Sequence, residues 1–228
     1  MSNAVLAAVS ACVFDAYGTL FDVNAAADKL RHRIGPQADR LAEQWRTRQL
    51  QYSWLRSISG KHADFWQLTG DALDVSLATL GIKDAALRAD LMDLYYKLSP
   101  YADAQGLLAR LRQAGKRTAI LSNGSKAMLK AAVDASGFAQ ELDAVLSIDD
   151  VGVFKPHGSV YRLAETALGL PAKEMCFVSS NAWDAHASAD FGFRSVWVNR
   201  AGAPREKLPG ELAAEIRSLG ELPALLGL

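Results

Sequence analysis

The sequence predicts an α/β fold: an open parallel sheet whose first strand is separated from the others by an all-helical insertion. Three observations predict it. The apolar run Val9 to Phe14 closes on Asp15, which puts a carboxylate at the carboxyl end of a strand, where open α/β sheets place their crevice. From Lys116 onward, short apolar runs alternate with helical patterns, the signature of parallel strands joined by right-handed crossovers. Between these regions, Val23 to Leu98 has no strand pattern, and its apolar residues recur at helical spacing.

The elements follow in order. After the Asp15 strand, Gly18-Thr19 lets the chain turn tightly, with backbone N–H groups aimed at whatever occupies the site. In the insertion, Leu41, Trp45, Tyr52 and Leu55 fall on one face of a long helix. Ala72, Leu73, Leu77 and Leu80 mark a second helix ending at Gly81, and Leu87, Leu91, Leu94 and Tyr95 mark a third. Ser99-Pro100 ends the helical run. Strands are expected at Arg117–Leu121, Ala144–Ser147, Met175–Val178 and Ser195–Val198. Helices are expected at Gln105–Gln113, Lys126–Ala135, Ser159–Leu168 and Ala182–Asp190. Gly115, Gly137 and Gly169 stand at or just past helix ends, where a left-handed cap is wanted. The tail from Ala201 to Leu228 reads as a loop and a terminal helix, broken up by Pro204, Pro209 and Pro223. The expected division is a core of residues 1–22 and 99–228 with a helical cap of residues 23–98, able to close over the sheet and exclude water.

Bulk properties narrow the function classes. Lys plus Arg equals Asp plus Glu at 25 each in 228 residues, so no net field favours nucleic acid or an anionic membrane. Met1 to Ser10 lacks the basic flank of a signal peptide, and nothing approaches the ~18 apolar residues of a membrane span. The chain reads as cytoplasmic. Its two cysteines, Cys12 and Cys176, lie inside apolar runs and read as small buried hydrophobes, not a redox pair.

Four strand ends deliver polar groups to one edge of the sheet: Asp15 and Thr19; Ser122-Asn123-Gly124-Ser125; Lys155-Pro156; and Ser179-Ser180-Asn181 with Asp184. Taken singly they are weak, since Ser-Asn-Gly after a strand also makes a turn with a helix cap and a lysine before proline is usually solvated. Taken together they are complementary, because the topology makes those loops neighbours. Arg46 shares a helix stripe with Leu50, Ser53 and Trp54; as a residue alone it reads equally as a solvated arginine with its stem packed on Trp45 or Leu50.

Asp15-Ala-Tyr-Gly-Thr19, Ser122-Asn123, Lys155-Pro156 and Ser179-Ser-Asn-Ala-Trp-Asp184 resemble the four ordered motifs of the haloacid dehalogenase superfamily, whose core is a Rossmann-like parallel sheet. Trp45-Arg46, Gln49-Leu50, Tyr52, Trp54-Leu55-Arg56 and Phe65 resemble the cap of the L-2-haloacid dehalogenases, and the likeness runs over nearly the whole chain. It implies that Asp15 attacks C2 of a short-chain (S)-2-haloacid, inverts that carbon and forms an aspartyl ester. Water then attacks the ester and releases the (R)-2-hydroxy acid. Lys155 would hold Asp15 ionised. Ser122 and the N–H groups of Ala16 and Tyr17 would take the substrate carboxylate, with Asn123 and Arg46 on the halide. Asp184, with Asn181, Ser179 and Lys155, would position or deprotonate the water, and Thr19 and Tyr161 would complete the catalytic set. Tyr17, Leu50, Phe65 and Trp183 would wall the alkyl group. His186 is an alternative water base or a packed histidine, and His157 lies within reach of the site without a required role.

No metal and no cofactor are expected, because a lysine aimed between Asp15 and Asp184 neutralises the site. The runner-up is a Mg²⁺-dependent phosphatase or phosphonatase, but Tyr17 stands where such an enzyme carries its general acid. A non-catalytic binding module is argued against by the intact Asp15, Lys155 and Asp184. The cap aromatics Trp45, Tyr52, Trp54 and Tyr95 suggest a homodimer face, or else burial within one subunit.

Overall fold

A computed structural model describes residues 4–228. The strands are β1 (Ala11–Phe14), β2 (Arg117–Ser122), β3 (Ala144–Ser147), β4 (Met175–Ser179), β5 (Arg194–Val198) and β6 (Ala214–Ile216). They form one sheet in the order β3-β2-β1-β4-β5-β6, and every neighbouring pair is parallel. All residues of β1 and β4 are buried, which is why these strands read as continuous apolar runs and not as alternating ones. Chain order runs outward in both directions from the β1–β4 pair, so the crevice opens at their carboxyl ends. Phe14 pairs with Val178 across that boundary, and Asp15 N donates to Val178 O at 2.9 Å. The nucleophile candidate is thereby pinned to the neighbouring strand.

Between β1 and β2 the chain is helical: α1 (Ala25–Lys29), α2 (Arg31–Ile34), α3 (Ala38–Ser59), α4 (Phe65–Thr79), α5 (Ala85–Tyr96) and α6 (Leu107–Gln113). The first five form the cap. Asp64 and Asp84 cap α4 and α5, accepting from Trp66 N and Leu87 N respectively. The core continues with α7 (Lys126–Ser136), α8 (Gly158–Leu168), α9 (Ala182–Phe191) and α10 (Leu222–Leu225). Gly106, in a left-handed conformation, shortens the expected Gln105 helix so that it starts at Leu107.

Three expectations need correction. The buried stripe of α3 is Ala38, Leu41, Trp45, Gln49 and Ser53, while Leu55 is 62% exposed and Tyr52 only half-buried. From Leu41 on, the stripe steps by four residues and takes in two polar side chains, Gln49 and Ser53, because the cap interior is partly polar. The tail contains a strand, β6, that three residues were too few to announce. Pro223 does not break the terminal helix; it lies in the first turn of α10, where a missing N–H costs nothing.

Candidate active site

Asp15 leaves β1 into a turn that depends on Gly18, whose φ of +94° suits glycine alone. Leu20 and Phe21 N–H both return to Ala16 O, so the loop closes on itself. Lys155 arrives from the β3–α8 loop, where Asn123 Oδ1 accepts its backbone N–H at 2.9 Å. Asp184 lies in the first turn of α9. These three side chains form a line: Lys155 Nζ is 3.1 Å from Asp15 Oδ1 and 2.9 Å from Asp184 Oδ2. Their exposures are 6% for Asp15, 1% for Lys155 and 0% for Asp184, so water screens little of the interaction.

The electrostatics follow from one cation set between two anions. Burial works against the Lys155 ammonium, but Asp15 and Asp184 outweigh it and hold the lysine above its usual range. Burial foremost, then the Asp15 charge, pushes the Asp184 carboxyl up, against the pull of Lys155 and Tyr161. Asp184 is therefore a stronger base than an ordinary aspartate. Tyr161 Oη donates to Asp184 Oδ1 at 2.7 Å, and burial holds that phenol well above its usual range, so it stays a donor.

The other oxygen of Asp15 is held by neutral groups. Thr19 Oγ1 donates to Oδ2 at 3.0 Å and Asn181 Nδ2 donates to it at 2.8 Å. Asn181 occupies the N-cap position of α9, yet its side chain makes no cap bond. That forgoes a contribution of about 1 kcal/mol in favour of the nucleophile. Ser179 Oγ instead accepts the Asn181 N–H at 3.1 Å. Ser122 Oγ accepts from Gly124 N at 3.0 Å, which leaves its hydroxyl proton uncommitted among the described residues.

Arg46 reaches down from α3. Its guanidinium donates to Gln49 Oε1 at 2.7 Å, Tyr17 O at 3.2 Å and Asn181 Oδ1 at 3.3 Å. Among the described residues no carboxylate pairs with it, so a half-buried cation faces the site without a counter-charge. Of the two arrangements the sequence allowed for Arg46, the guanidinium takes the one that turns it toward Tyr17 and Asn181. Phe65 is buried with its ring centroid 6.3 Å from that of Tyr17, and Tyr17 stacks on Tyr95 at 5.9 Å. Trp183 meets Trp54 of the cap edge-to-face at 5.4 Å, and both line an open apolar groove of ≈ 390 Å³ with Ile58, Phe154 and Pro156. Leu50 is half-buried on α3, one turn from Arg46.

Several residues matter that sequence reasoning left without a role. Gln49 Nε2 donates to Thr69 Oγ1 at 2.6 Å and to Tyr95 Oη at 3.1 Å, while its Oε1 holds Arg46. Trp45 Nε1 donates to Thr69 O at 2.8 Å. This buried network orients the guanidinium; its only trace in the sequence is Gln49 falling one helical turn after Trp45. Ser180 N donates to Thr19 Oγ1 at 2.8 Å. A Cβ at Gly124 would lie 2.6 Å from Tyr17 Cε2, so glycine is needed there to seat the tyrosine ring. The histidines lie apart. His186 shares a hydrogen bond of 2.9 Å with Gly210 O, which matches the packed reading, and the exposed His157 caps α8 by accepting from Ser159 N.

Comparison with known proteins agrees with this geometry. A family model for haloacid dehalogenase-like hydrolases matches residues 9–192. The (S)-2-haloacid dehalogenase 1 of Pseudomonas sp. (strain CBS-3) is 47% identical over 219 residues, covering 96% of each chain. The (S)-2-haloacid dehalogenase 4A of Burkholderia cepacia is 46% identical, covering 95% of this chain and 94% of its own. The L-2-haloacid dehalogenase of Xanthobacter autotrophicus, solved with chloropropionic acid covalently bound, superposes with a TM-score of 0.87 at 38% identity, covering 96% of this chain and 98% of that one. A further solved dehalogenase reaches a TM-score of 0.94 at 45% identity, covering 96% and 98%. With the family model covering residues 9–192 and the likeness running over nearly the full length of these relatives, the chain belongs to the haloacid dehalogenase-like hydrolases and, within them, to the family of the (S)-2-haloacid dehalogenases.

Proposed function

We propose that the enzyme hydrolyses short-chain (S)-2-haloacids to (R)-2-hydroxy acids through an ester on Asp15. The observation that carries this reading is the buried line Asp15–Lys155–Asp184 lying beneath an arginine that has no carboxylate partner. An Asp15 carboxylate oxygen attacks C2 from the side opposite the halogen. The C–O bond forms as the C–halogen bond breaks, so the carbon inverts. The halide leaves toward Arg46 and the Asn123 amide. The substrate carboxylate is received by Ser122 Oγ and the N–H groups of Ala16 and Tyr17, with Leu50, Phe65 and Trp183 around the alkyl group. Water, deprotonated by Asp184, then adds to the Asp15 carbonyl carbon. The collapsing adduct expels the 2-hydroxy acid and restores the aspartate.

The same bridge underlies our reading of the site as metal-independent, since the Lys155 ammonium already neutralises the two carboxylates a divalent ion would hold. A phosphatase needs an acid at position 17; burial holds the Tyr17 hydroxyl well above its usual range, so it does not give up a proton near neutrality. The buried, unpaired Cys12 and Cys176 suit a reducing cytoplasm. Among the described residues no helix is long and apolar enough to cross a membrane. A homodimer through the cap would draw on the half-buried Tyr52 and Trp54 of α3 and not on Trp45 or Tyr95. Trp45 and Tyr95 are buried, and the exposed apolar residues of α3 are Leu55 and Ile58.

Halide release from (S)- and (R)-2-chloropropionate, with and without EDTA, tests the proposal. Release from the (S) acid alone and untouched by EDTA is expected. No release, with Mg²⁺-dependent turnover of a phosphate ester, would transfer the site to the phosphatase reading.

A further inference from the structure

Two strands of chain join the cap to the core, and they run side by side. Asp22 N donates to Ser99 O at 3.2 Å, Tyr101 N donates to Leu20 O at 2.8 Å, and Phe21 and Pro100 form an antiparallel bridge. One side chain from elsewhere in the fold touches both. Arg200, two residues past the end of β5, donates to Thr19 O at 3.1 Å in the first linker. Its guanidinium carbon lies 4.0 Å from the ring centroid of Tyr101 in the second.

The guanidinium is itself held in place. Nη1 and Nη2 donate to the two oxygens of Asp103 at 2.7 and 3.0 Å. Asp103 also accepts from Ser218 Oγ at 2.8 Å and Leu219 N at 3.0 Å, which ties the pair to the C-terminal segment. On the other side Thr19 leads straight to the reaction centre: its carbonyl meets Arg200 while its hydroxyl meets Asp15 Oδ2 at 3.0 Å. The Thr19 hydroxyl has few rotamers, so where the backbone sits decides where that hydrogen bond points.

We infer that Arg200 is a positioning residue for the dehalogenation: by holding the Thr19 carbonyl and stacking on Tyr101, it sets the Asp15 carboxylate relative to the sheet and to the linkers that carry the cap. The inference rests on the function proposed above. Asp103 is the anchor of the clamp, and Ser218 and Leu219 are its footing. Lysine at position 200 keeps the charge but loses the planar two-point geometry that lets one group serve Asp103 and Thr19 together.

The test is single-turnover halide release by Arg200→Lys, with enzyme in excess over (S)-2-chloropropionate, read against release of the hydroxy acid and against Tm. Ester formation is expected to slow by roughly 10-fold or more, as small misplacements of a nucleophile do. Ester hydrolysis should change much less, and the slowing should persist well below the Tm of the variant. A second comparison isolates the route. If Arg200 acts through Thr19, then Thr19→Val with Arg200→Lys should lose little more than Thr19→Val alone. Ester formation within twofold of wild type overturns the inference. So do losses that multiply in the double variant, or equal slowing of both steps. Should Arg200→Lys fail to fold, Tyr101→Leu removes only the stacking surface. It should slow the same step by roughly two- to fivefold, and an unchanged rate overturns the inference. Wild-type halide release is the control: its absence would sink the function proposed for the site, whereas an indifferent Arg200→Lys beside an active wild type sinks only the clamp.

Discussion

The core half and the cap half of this site are built on different terms. On the core side Asp15, Lys155, Asp184 and Tyr161 are all buried and joined by hydrogen bonds of 2.7–3.1 Å, each with a charged partner. On the cap side Arg46 is half-buried and spans to the core by longer bonds, 3.2 Å to Tyr17 O and 3.3 Å to Asn181 Oδ1. The first arrangement cannot lose its lysine without stranding two buried carboxylates. The second can lose a bond at little cost, because its partners are neutral and the guanidinium is only half-buried. Under the proposed function, bond making falls to the buried half and recognition of the departing halide to the half-buried one.

That contrast can be broken most severely in the core. Asp15→Asn removes the nucleophile, and halide release should fall by about 10⁴-fold or more. Lys155→Met should abolish turnover and also destabilise the fold by about 3–5 kcal/mol, because two buried carboxylates lose their counter-charge. Thermal unfolding of that variant should show a clear drop in Tm.

Arg46 should behave in the opposite way. Arg46→Lys is expected to lower kcat/KM by about 10²-fold, the cost of one misplaced donor at a developing charge. Its Tm should stay close to wild type, since the side chain has no ion-pair partner among the described residues. A large fall in Tm for Arg46→Lys would erase the distinction between the halves.

The pH dependence sharpens the same point. Because burial and Asp15 raise Asp184, ester hydrolysis should lose its base at a pH above the usual aspartate range. Because Lys155 is raised by its two carboxylates, the alkaline limb should lie above the usual lysine range. A kcat profile in pre-steady-state and steady-state regimes would locate both limbs. Outside the site, burial acts against the Asp103 carboxylate, but Arg200, Ser218 and the Leu219 N–H outweigh it and hold the group below its usual range. Its unfolded-state value is the higher one. The stabilisation is therefore present above the usual carboxylate range and drains away as pH falls through the lowered folded value. The Tm gap between wild type and Asp103→Asn should be widest near neutrality and close in acid.

The smallest expected effects lie where the two halves touch. Gly124→Ala pushes on the Tyr17 ring, with 2.6 Å between the new Cβ and Cε2, and should raise KM with a smaller change in kcat. Tyr95→Phe removes one partner of Gln49 and should cost about 1 kcal/mol of stability, with a few-fold loss in kcat/KM as Arg46 loosens. Equal effects on kcat and KM for both variants would remove the reason to separate seating from chemistry.

How far the sequence foretold this molecule depends on the kind of signal. Asp15, Ser122, Lys155 and Asp184 were legible because each follows a short apolar run, and parallel topology brings strand ends together. Arg46 was legible only through its likeness to a family, since an arginine on a helix looks the same whether it faces water or a site. The Gln49–Thr69–Tyr95 network was not legible: a glutamine among apolar positions reads as an interruption of a stripe until the partner from another helix is seen. Leu55 misled for the converse reason, as an apolar residue near the stripe that the four-residue step leaves exposed. The strand β6 carries too few residues for any periodicity, and Pro223 reads as a breaker unless the helix start is known to lie beside it.

In the ester route, the hydroxyl oxygen of the first product molecule comes from Asp15. One turnover in ¹⁸O-water, with enzyme in excess over (S)-2-chloropropionate and the product analysed by mass, tests it directly. The first-turnover hydroxy acid should be essentially unlabelled, with ¹⁸O retained in the peptide that contains Asp15. Label entering the first-turnover product while Asp15 stays unlabelled would mean that water attacks C2 directly, and the covalent account would be contradicted.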